Sequence, residues 1–116
     1  MKRRFRLKKT ADFERVRRLG KSFAHPLIVL IVHANEGEGL RVGVIAGRRL
    51  GNAVQRNHAK RLIRAATQTL SGYILPGHDL LMIARQPLLE ASVVEIQRAI
   101  QKLLQRADLL ISNDDR

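Results

Sequence analysis

The stretch "LRVGVIAGRRLGNAVQRNHAKRLIRAATQTLSGYILPGHDLLMIA", residues 40–84, decides the fold class. Its two ends, 40–46 and 78–84, are short runs rich in Val, Ile and Leu, each the length of one strand. Between them Gly51 breaks the chain, Asn52 can cap a helix, and helical apolar spacing continues to Leu70 before Ser71-Gly72 ends it. A strand, a long helix and a further strand read as a βαβ crossover. At roughly 100° per residue, Ala59, Leu62, Ile63, Ala66 and Leu70 fall within about 100° of arc. Arg56, Lys60 and Arg64 stack at i, i+4 spacing, with Asn57 and Arg61 beside them, nearly opposite the apolar arc. One face is therefore expected to be core and the other a cationic ridge. Gly47 to Ala66 holds six Lys/Arg and no acid, so no intrahelical pair offsets the like-charge repulsion. A merely solvated helix usually mixes signs; this one calls for an outside anion.

Working outward, residues 1–9 read as a flexible basic arm. Thr10 is the expected N-cap of a short helix, 11–19, with Asp12 and Glu14 in its first turn and Gly20 ending it. Phe13 and Val16 share its buried side, which leaves Arg15, Arg17 and Arg18 exposed. Residues 27–33, "LIVLIVH", read as a strand buried on both faces. The turn 35–39 then returns the chain as strand 40–46, an antiparallel hairpin. Ser92 and Glu95 form a capping box for a last helix whose stripe is Val93, Ile96, Ile100, Leu103, Leu104 and Ala107. Its charges nearly balance, so its expected role is to close the core. Residues 112–116 are a polar tail, and the whole of 1–116 is expected to be one domain.

Composition narrows the function. The 116 residues are 45% hydrophobic and only 3% aromatic, so the core must be aliphatic. Without cysteine there is no disulfide, thiolate metal site or thiol nucleophile. No apolar segment follows the basic start, and 27–32 is too short to span a bilayer, so the expectation is a soluble, cytoplasmic protein with no membrane partner. The net charge of +12 is lopsided: residues 1–64 hold 17 Lys/Arg and 4 Asp/Glu, residues 65–116 hold 5 and 6. An excess confined to half the chain points to a cationic face for a polyanion, nucleic acid above all. The four histidines are scattered, no carboxylates cluster, and Ser22, Ser71 and Ser92 have no evident base beside them. Capping and strand-edge roles account for Asp12 and Asp79. The chain shows no catalytic or metal-binding constellation of its own.

Residues 41–66 then carry a resemblance. Arg48-Arg49, Gly51-Asn52-Ala53-Val54, Arg56-Asn57-His58, Lys60-Arg61 and Arg64 resemble the long ungapped signature of the protein subunit of bacterial ribonuclease P. The basic start, "ADFERV" with Gly20-Lys21-Ser22, and "IARQP" at 83–87 fit as well, so the likeness spans roughly residues 5–110. It implies an α+β fold, an α/β sandwich of the ribosomal protein S5 domain 2-like kind. Such a sheet is mostly antiparallel, with a left-handed βαβ crossover where general rules favour the right-handed one.

The resemblance further implies a subunit that joins a large catalytic RNA and helps it remove the 5′ leader of precursor tRNA. Mg²⁺ would be held mainly by that RNA, with none bound by protein side chains and no obligate protein partner. Carried over position by position, Arg48, Arg49, Asn52, Arg56, Asn57, Lys60, Arg61 and Arg64 would contact RNA. Asn52 reads equally as a plain helix cap. The single-stranded leader would lie in a cleft between the first helix and the sheet, at Phe13, Arg17 and Ile31 with Phe23 nearby. His58 stands in place of the motif's second arginine, Gly47 and Ile45 where serines are common, and Arg17 and Ile31 where aromatics are frequent. Leader contact is accordingly expected to be more electrostatic than stacked. The alternatives are a ribosomal-type or RNA-chaperone protein with no cleavage role, and an independent protein nuclease.

Overall fold

The computed structural model describes residues 6–37 and 39–111. Its elements run α1 (Thr10–Leu19), β1 (Lys21–Ala24), β2 (Ile28–Ala34), β3 (Leu40–Ile45), α2 (Ala53–Leu70), β4 (His78–Ala84) and α3 (Val93–Arg106). Short 3-10 turns lie at Arg48–Leu50, Ser71–Tyr73 and Gln86–Glu90. The strands form one sheet in the order β1-β2-β4-β3, antiparallel except for the β3–β4 pair. Helix α2 is the crossover between those two parallel strands, as the strand–helix–strand pattern predicts.

The hairpin expected between strands 27–33 and 40–46 does not form. β4 inserts between them, with Leu30 paired to Met82 on one side and Val44 paired to Met82 on the other. Leu80, Leu81 and Met82 are all buried, so β4 is covered on both faces and belongs at the centre. β3 carries Arg41 and Gly43 on one face and tolerates a place beside the edge. An apolar run reveals burial but not a pairing partner. The connection 35–39 consequently crosses two strand spacings, about 10 Å. It turns through Gly37 and Gly39, at φ 78° and 73°, backbone angles that glycine adopts without a Cβ clash. The true hairpin is β1–β2, with Ser22 opposite Ile31. Only Phe23 of β1 is even half-buried, so that strand leaves no periodic signal in the sequence.

Two features at the start of the chain also depart from expectation. Lys9, not Thr10, is the N-cap residue of α1, and no side chain caps it. The part of the basic arm that is described is held in place: Arg6 bridges Val42, and the Leu7 amide donates to the Val42 carbonyl at 2.9 Å. Leu7 is buried there because the alternative is to expose an isobutyl group beside the sheet. Residues 1–5 of the arm and the tail 112–116 lie outside the described residues.

Strand alternation sorts the core into two unequal halves. On one face Ile28, Leu30, Val42, Val44, Leu80 and Met82 meet Ala59, Ile63 and Ala66 of α2 and Ile96, Ile100, Leu103 and Leu104 of α3. The other face bears only α1 and stacks three rungs across β2, β4 and β3. His33–Asp79–Arg41 is ionic. Ile31–Leu81–Gly43 lies beneath Val16 and Phe13. The third rung, Val29–Ile83–Ile45, is only part-buried. Gly43 is what allows α1 so close: a Cβ there would come within 2.6 Å of the Phe13 ring.

Candidate nucleic-acid interface

Helix α2 begins in a knot of local bonds. Leu50, buried, anchors the preceding 3-10 turn and leaves Arg48 and Arg49 exposed. The Asn52 carboxamide oxygen accepts from the Gln55 amide at 2.9 Å, and the Gln55 side chain accepts from the Asn52 amide at 2.9 Å. This capping box makes Asn52 a helix cap in fact. A side chain at Gly51 would collide with the returning Gln55 carboxamide. The first turn contains no acid, so the positive end of the helix dipole and two arginines face solvent together.

The cation row sits closer to the sheet than the apolar spacing suggests. Thr67, not counted in the apolar arc, is fully buried, its hydroxyl donating to the Ile63 carbonyl at 2.7 Å and lying 3.4 Å from the Met82 sulfur. Leu62 is only half-buried. The helix is therefore rolled toward the Ile63–Thr67 side, which carries Arg56, Lys60 and Arg64 onto the flank of the core contact. All three are half-buried, while Asn57 and Arg61 stay exposed. Arg56 Nε is enclosed and has no hydrogen-bond partner. Burial, and then the charge of Arg6, pulls the Arg64 guanidinium below the usual arginine pKa. Arg6 Nε is itself enclosed and unpartnered. Arg6 thus extends the row from the N-terminal segment; nothing in the arm's composition separates it from its basic neighbours.

Internal acids do not answer this row. The ion pairs join Arg15 and Arg41 to Asp12 and Asp79, and among the described residues no carboxylate pairs with Arg48, Arg49, Arg56, Lys60, Arg61 or Arg64. Half-buried, unmatched guanidinium groups are costly unless something anionic covers them. The row is a positive surface that no described carboxylate neutralises.

A second feature lies beside α1. Asp12 and Arg15 occupy the flank of the helix that faces the ionic rung, so Phe13 and Arg17, on the other flank, border the half-buried rung Val29–Ile83–Ile45. The arrangement is a part-buried apolar strip with an aromatic edge and an exposed cation. Ile31 is buried beneath α1, 5% exposed, and does not line it. Phe23 is not brought to this strip at all. It pairs with Leu30 on the opposite face, where Lys21 and Arg106 flank its ring. The strip residues Val29, Ile45 and Ile83 alternate with core positions, so a strand with two apolar faces was their only signal.

Arg15 departs from its expected exposure: it reaches Asp12 at 2.7 Å and Asp79 at 3.0 Å. Asp79, expected at a strand edge, is fully buried on the central β4. Arg41 donates to both of its oxygens at 2.8 Å, and Asn35 to one at 2.9 Å. With its lone pairs so occupied, Asp79 is a structural anion and not an available base or metal ligand. Among the described residues no group of three His, Cys, Asp or Glu is placed to hold a metal ion. No helix there is long and apolar enough to cross a membrane.

Comparison with known proteins agrees with this geometry. The family model described as Ribonuclease P matches residues 1–108. The chain is similar to the ribonuclease P protein component of Herpetosiphon aurantiacus, 40% identical over 109 residues, covering 94% of this chain and 89% of that one. It is 42% identical over 111 residues to that of Chloroflexus aggregans, covering 95% and 82%. Among solved structures, the RNase P protein of Staphylococcus aureus superposes with a TM-score of 0.81 at 35% identity, covering 91% of this chain and 97% of that one. The protein from Thermotoga maritima gives 0.78 at 29%, covering 87% and 96%.

Proposed function

The chain belongs to the ribonuclease P protein family, and from that premise we propose that it is the protein subunit of a ribonucleoprotein that removes the 5′ leader from precursor tRNA in the cytoplasm. The observation that carries the reading is the α2 row, half-buried and unmatched by any described carboxylate. Arg48, Arg49, Arg56, Lys60, Arg61 and Arg64 bind phosphate oxygens of the catalytic RNA, and Asn57 donates to backbone or base edges. Asn52 contributes chiefly by capping the helix that presents them. Arg6 adds a cation beside Arg64. The strip at Phe13 and Arg17 takes the single-stranded leader, its apolar side chains packing on sugars and base faces while Arg17 holds a phosphate.

The hydrolytic chemistry is assigned to the RNA, which would carry the Mg²⁺. This fits a protein in which the one carboxylate buried among the described residues is already saturated by arginine and asparagine donors. What the polypeptide supplies is charge, so that folded RNA and substrate approach each other against less repulsion. The benefit should be greatest where Mg²⁺ is scarce.

Reconstitution tests the reading. Purified protein alone should leave precursor tRNA intact, and with ribonuclease P RNA it should raise cleavage at low Mg²⁺. Cleavage by rigorously RNA-free protein would make it a nuclease, and RNA binding without stimulation would make it a chaperone. Arg56→Ala and Lys60→Ala should each lower the slope of log K against log salt by about one, the signature of one lost phosphate contact.

A further inference from the structure

Helix α3 repeats the α2 pattern. Arg98, Lys102 and Arg106 recur at i, i+4, i+8, the same residue types in the same order as Arg56, Lys60 and Arg64. In sequence the charges of this helix read as nearly balanced, with Glu95 as the acid on it. In the structure the row is not neutralised: the Glu95 carboxylate folds back to accept from the Ser92 amide at 3.0 Å and closes the capping box. Among the described residues no carboxylate pairs with Arg98, Lys102 or Arg106, and all three are exposed.

The sheet adds further cations to this row. Arg106 donates to the Ala24 carbonyl of β1 at 2.6 Å, and its guanidinium lies 5.9 Å from the centre of the Phe23 ring. Lys21 Nζ is 5.5 Å from the same ring. Arg85 donates to the His25 carbonyl at 3.2 Å. Between the turn His25–Leu27 and the α3 residues Arg98, Ala99 and Lys102 runs an open groove of about 320 Å³, with Glu95 at one end. Burial first, and then the charges of Lys102 and Arg106, lower the His25 pKa, so the fields of the row converge there.

We propose that this α3–β1 surface is a second RNA-docking site, in which Arg98, Lys102 and Arg106, backed by Lys21 and Arg85, bind the phosphate backbone. It is separate from the α2 row. Arg106 is tied to β1, whereas Arg64 sits by Arg6, which bridges β3, and these strands are at opposite ends of the sheet order. Steps of four residues place the α3 cations about 6 Å apart along the axis, a repeat that suits a strand of evenly spaced phosphates. The groove has room for about one nucleotide, and Phe23 offers part of an aromatic face beside two cations. An acidic protein partner would want a broad apolar centre for its anchors, and the apolar floor here, Pro26, Leu27 and Ala99, is small and shares the groove with Arg98 and Lys102. A protein with RNA sites at both ends of its sheet can hold two RNA segments at once.

The test compares wild-type protein with Arg98→Gln/Lys102→Gln, using transcribed ribonuclease P RNA across a salt series. Both side chains are exposed, and neither hydrogen-bonds to another described residue, so thermal unfolding should be unchanged. The slope of log K against log salt should fall by about 1.4–1.8, with affinity about 10–30-fold weaker near 0.15 M salt. The charge-keeping variant Arg98→Lys/Lys102→Arg should retain the slope, and Gln101→Ala should leave it untouched. The effect should add to that of Arg56→Gln/Lys60→Gln, since the sites are separate. An unchanged slope in Arg98→Gln/Lys102→Gln overturns the proposal. So does a loss confined to an oligo-glutamate peptide or to phosphatidylserine vesicles with RNA binding intact. Failure of the Arg56/Lys60 arm alone overturns the α2 reading and leaves this one standing.

Discussion

Asp79 shows how one residue positions a helix through ion pairs. A fully buried carboxylate is expensive, and burial pushes its pKa up; donors on Arg41, Asn35 and Arg15 more than reverse this, leaving it below the ordinary aspartate value. Arg15 brings α1 to this anion, so the ion cluster fixes the end of the helix that borders the ionic rung. A depressed folded-state pKa gives stability that is present above the unfolded value, near 3.9, and lost as pH falls through the folded one. Asp79→Asn should cost about 3 kcal/mol at neutral pH, because Arg41 and Arg15 both lose their bond to a buried carboxylate. Urea unfolding at pH 7 and pH 3 checks both points: wild type should lose more stability on acidification than the variant, and equal losses would remove Asp79 as the titrating group. None of this was legible in the sequence, where Asp79 is one acid at the start of an apolar run. Its partners come from three other elements.

At the scale of elements, α2 was legible in existence and extent because every local signal agreed: Gly51 before it, Asn52 as cap, apolar recurrence to Leu70. Its roll was not legible. Apolar counting centres the buried arc between Ala59 and Ala66, and the structure shifts it because Thr67 meets its own hydroxyl's need within the helix and at Met82. That shift turns a crest of cations into a half-buried flank. The strands tell a similar story. The positions of β2, β3 and β4 followed from their apolar runs, but the insertion of β4 depends on which run tolerates an outer place, a comparison between segments that no single segment reveals. The cap at Asn52 gives a test at this scale. Asn52→Ala should cost about 0.5–2 kcal/mol in chemical denaturation, since α2 has no first-turn acid to compensate. Asn52→Asp caps as well and should keep stability, while its carboxylate, close in sequence to the exposed Arg48 and Arg49, should weaken RNA binding. Were Asn52→Asp to bind RNA as tightly as wild type, the start of α2 would not lie against phosphate.

Across the whole molecule, charge is arranged at the expense of the free protein's stability. Two helical rows of cations, one toward each edge of the sheet, have no carboxylate partner among the described residues, while the described acids in ion pairs are Asp12 and Asp79. The sequence revealed the excess and its lopsidedness; it did not reveal that the nearly neutral C-terminal half contains a second unmatched row, because the six acids of that half balance its count without pairing with the row, and Glu95 folds back onto Ser92. Within the α2 row, Lys60 stands between Arg56 and Arg64 at i−4 and i+4, and like charges at that spacing each cost about 0.2–0.5 kcal/mol. Lys60→Gln should therefore stabilise the RNA-free protein by about 0.5–1 kcal/mol at low salt, and the gain should shrink as ionic strength screens the repulsion. The same change should weaken RNA binding. If the row served only to pack the lysine stem against the core, the substitution would instead destabilise the protein by removing buried methylenes, and salt would not alter the loss. Urea unfolding at low and high salt, read beside RNA affinity, separates the two. Opposite signs for stability and binding would mark Lys60 as a residue kept for the polyanion, at a cost the protein bears until RNA covers it.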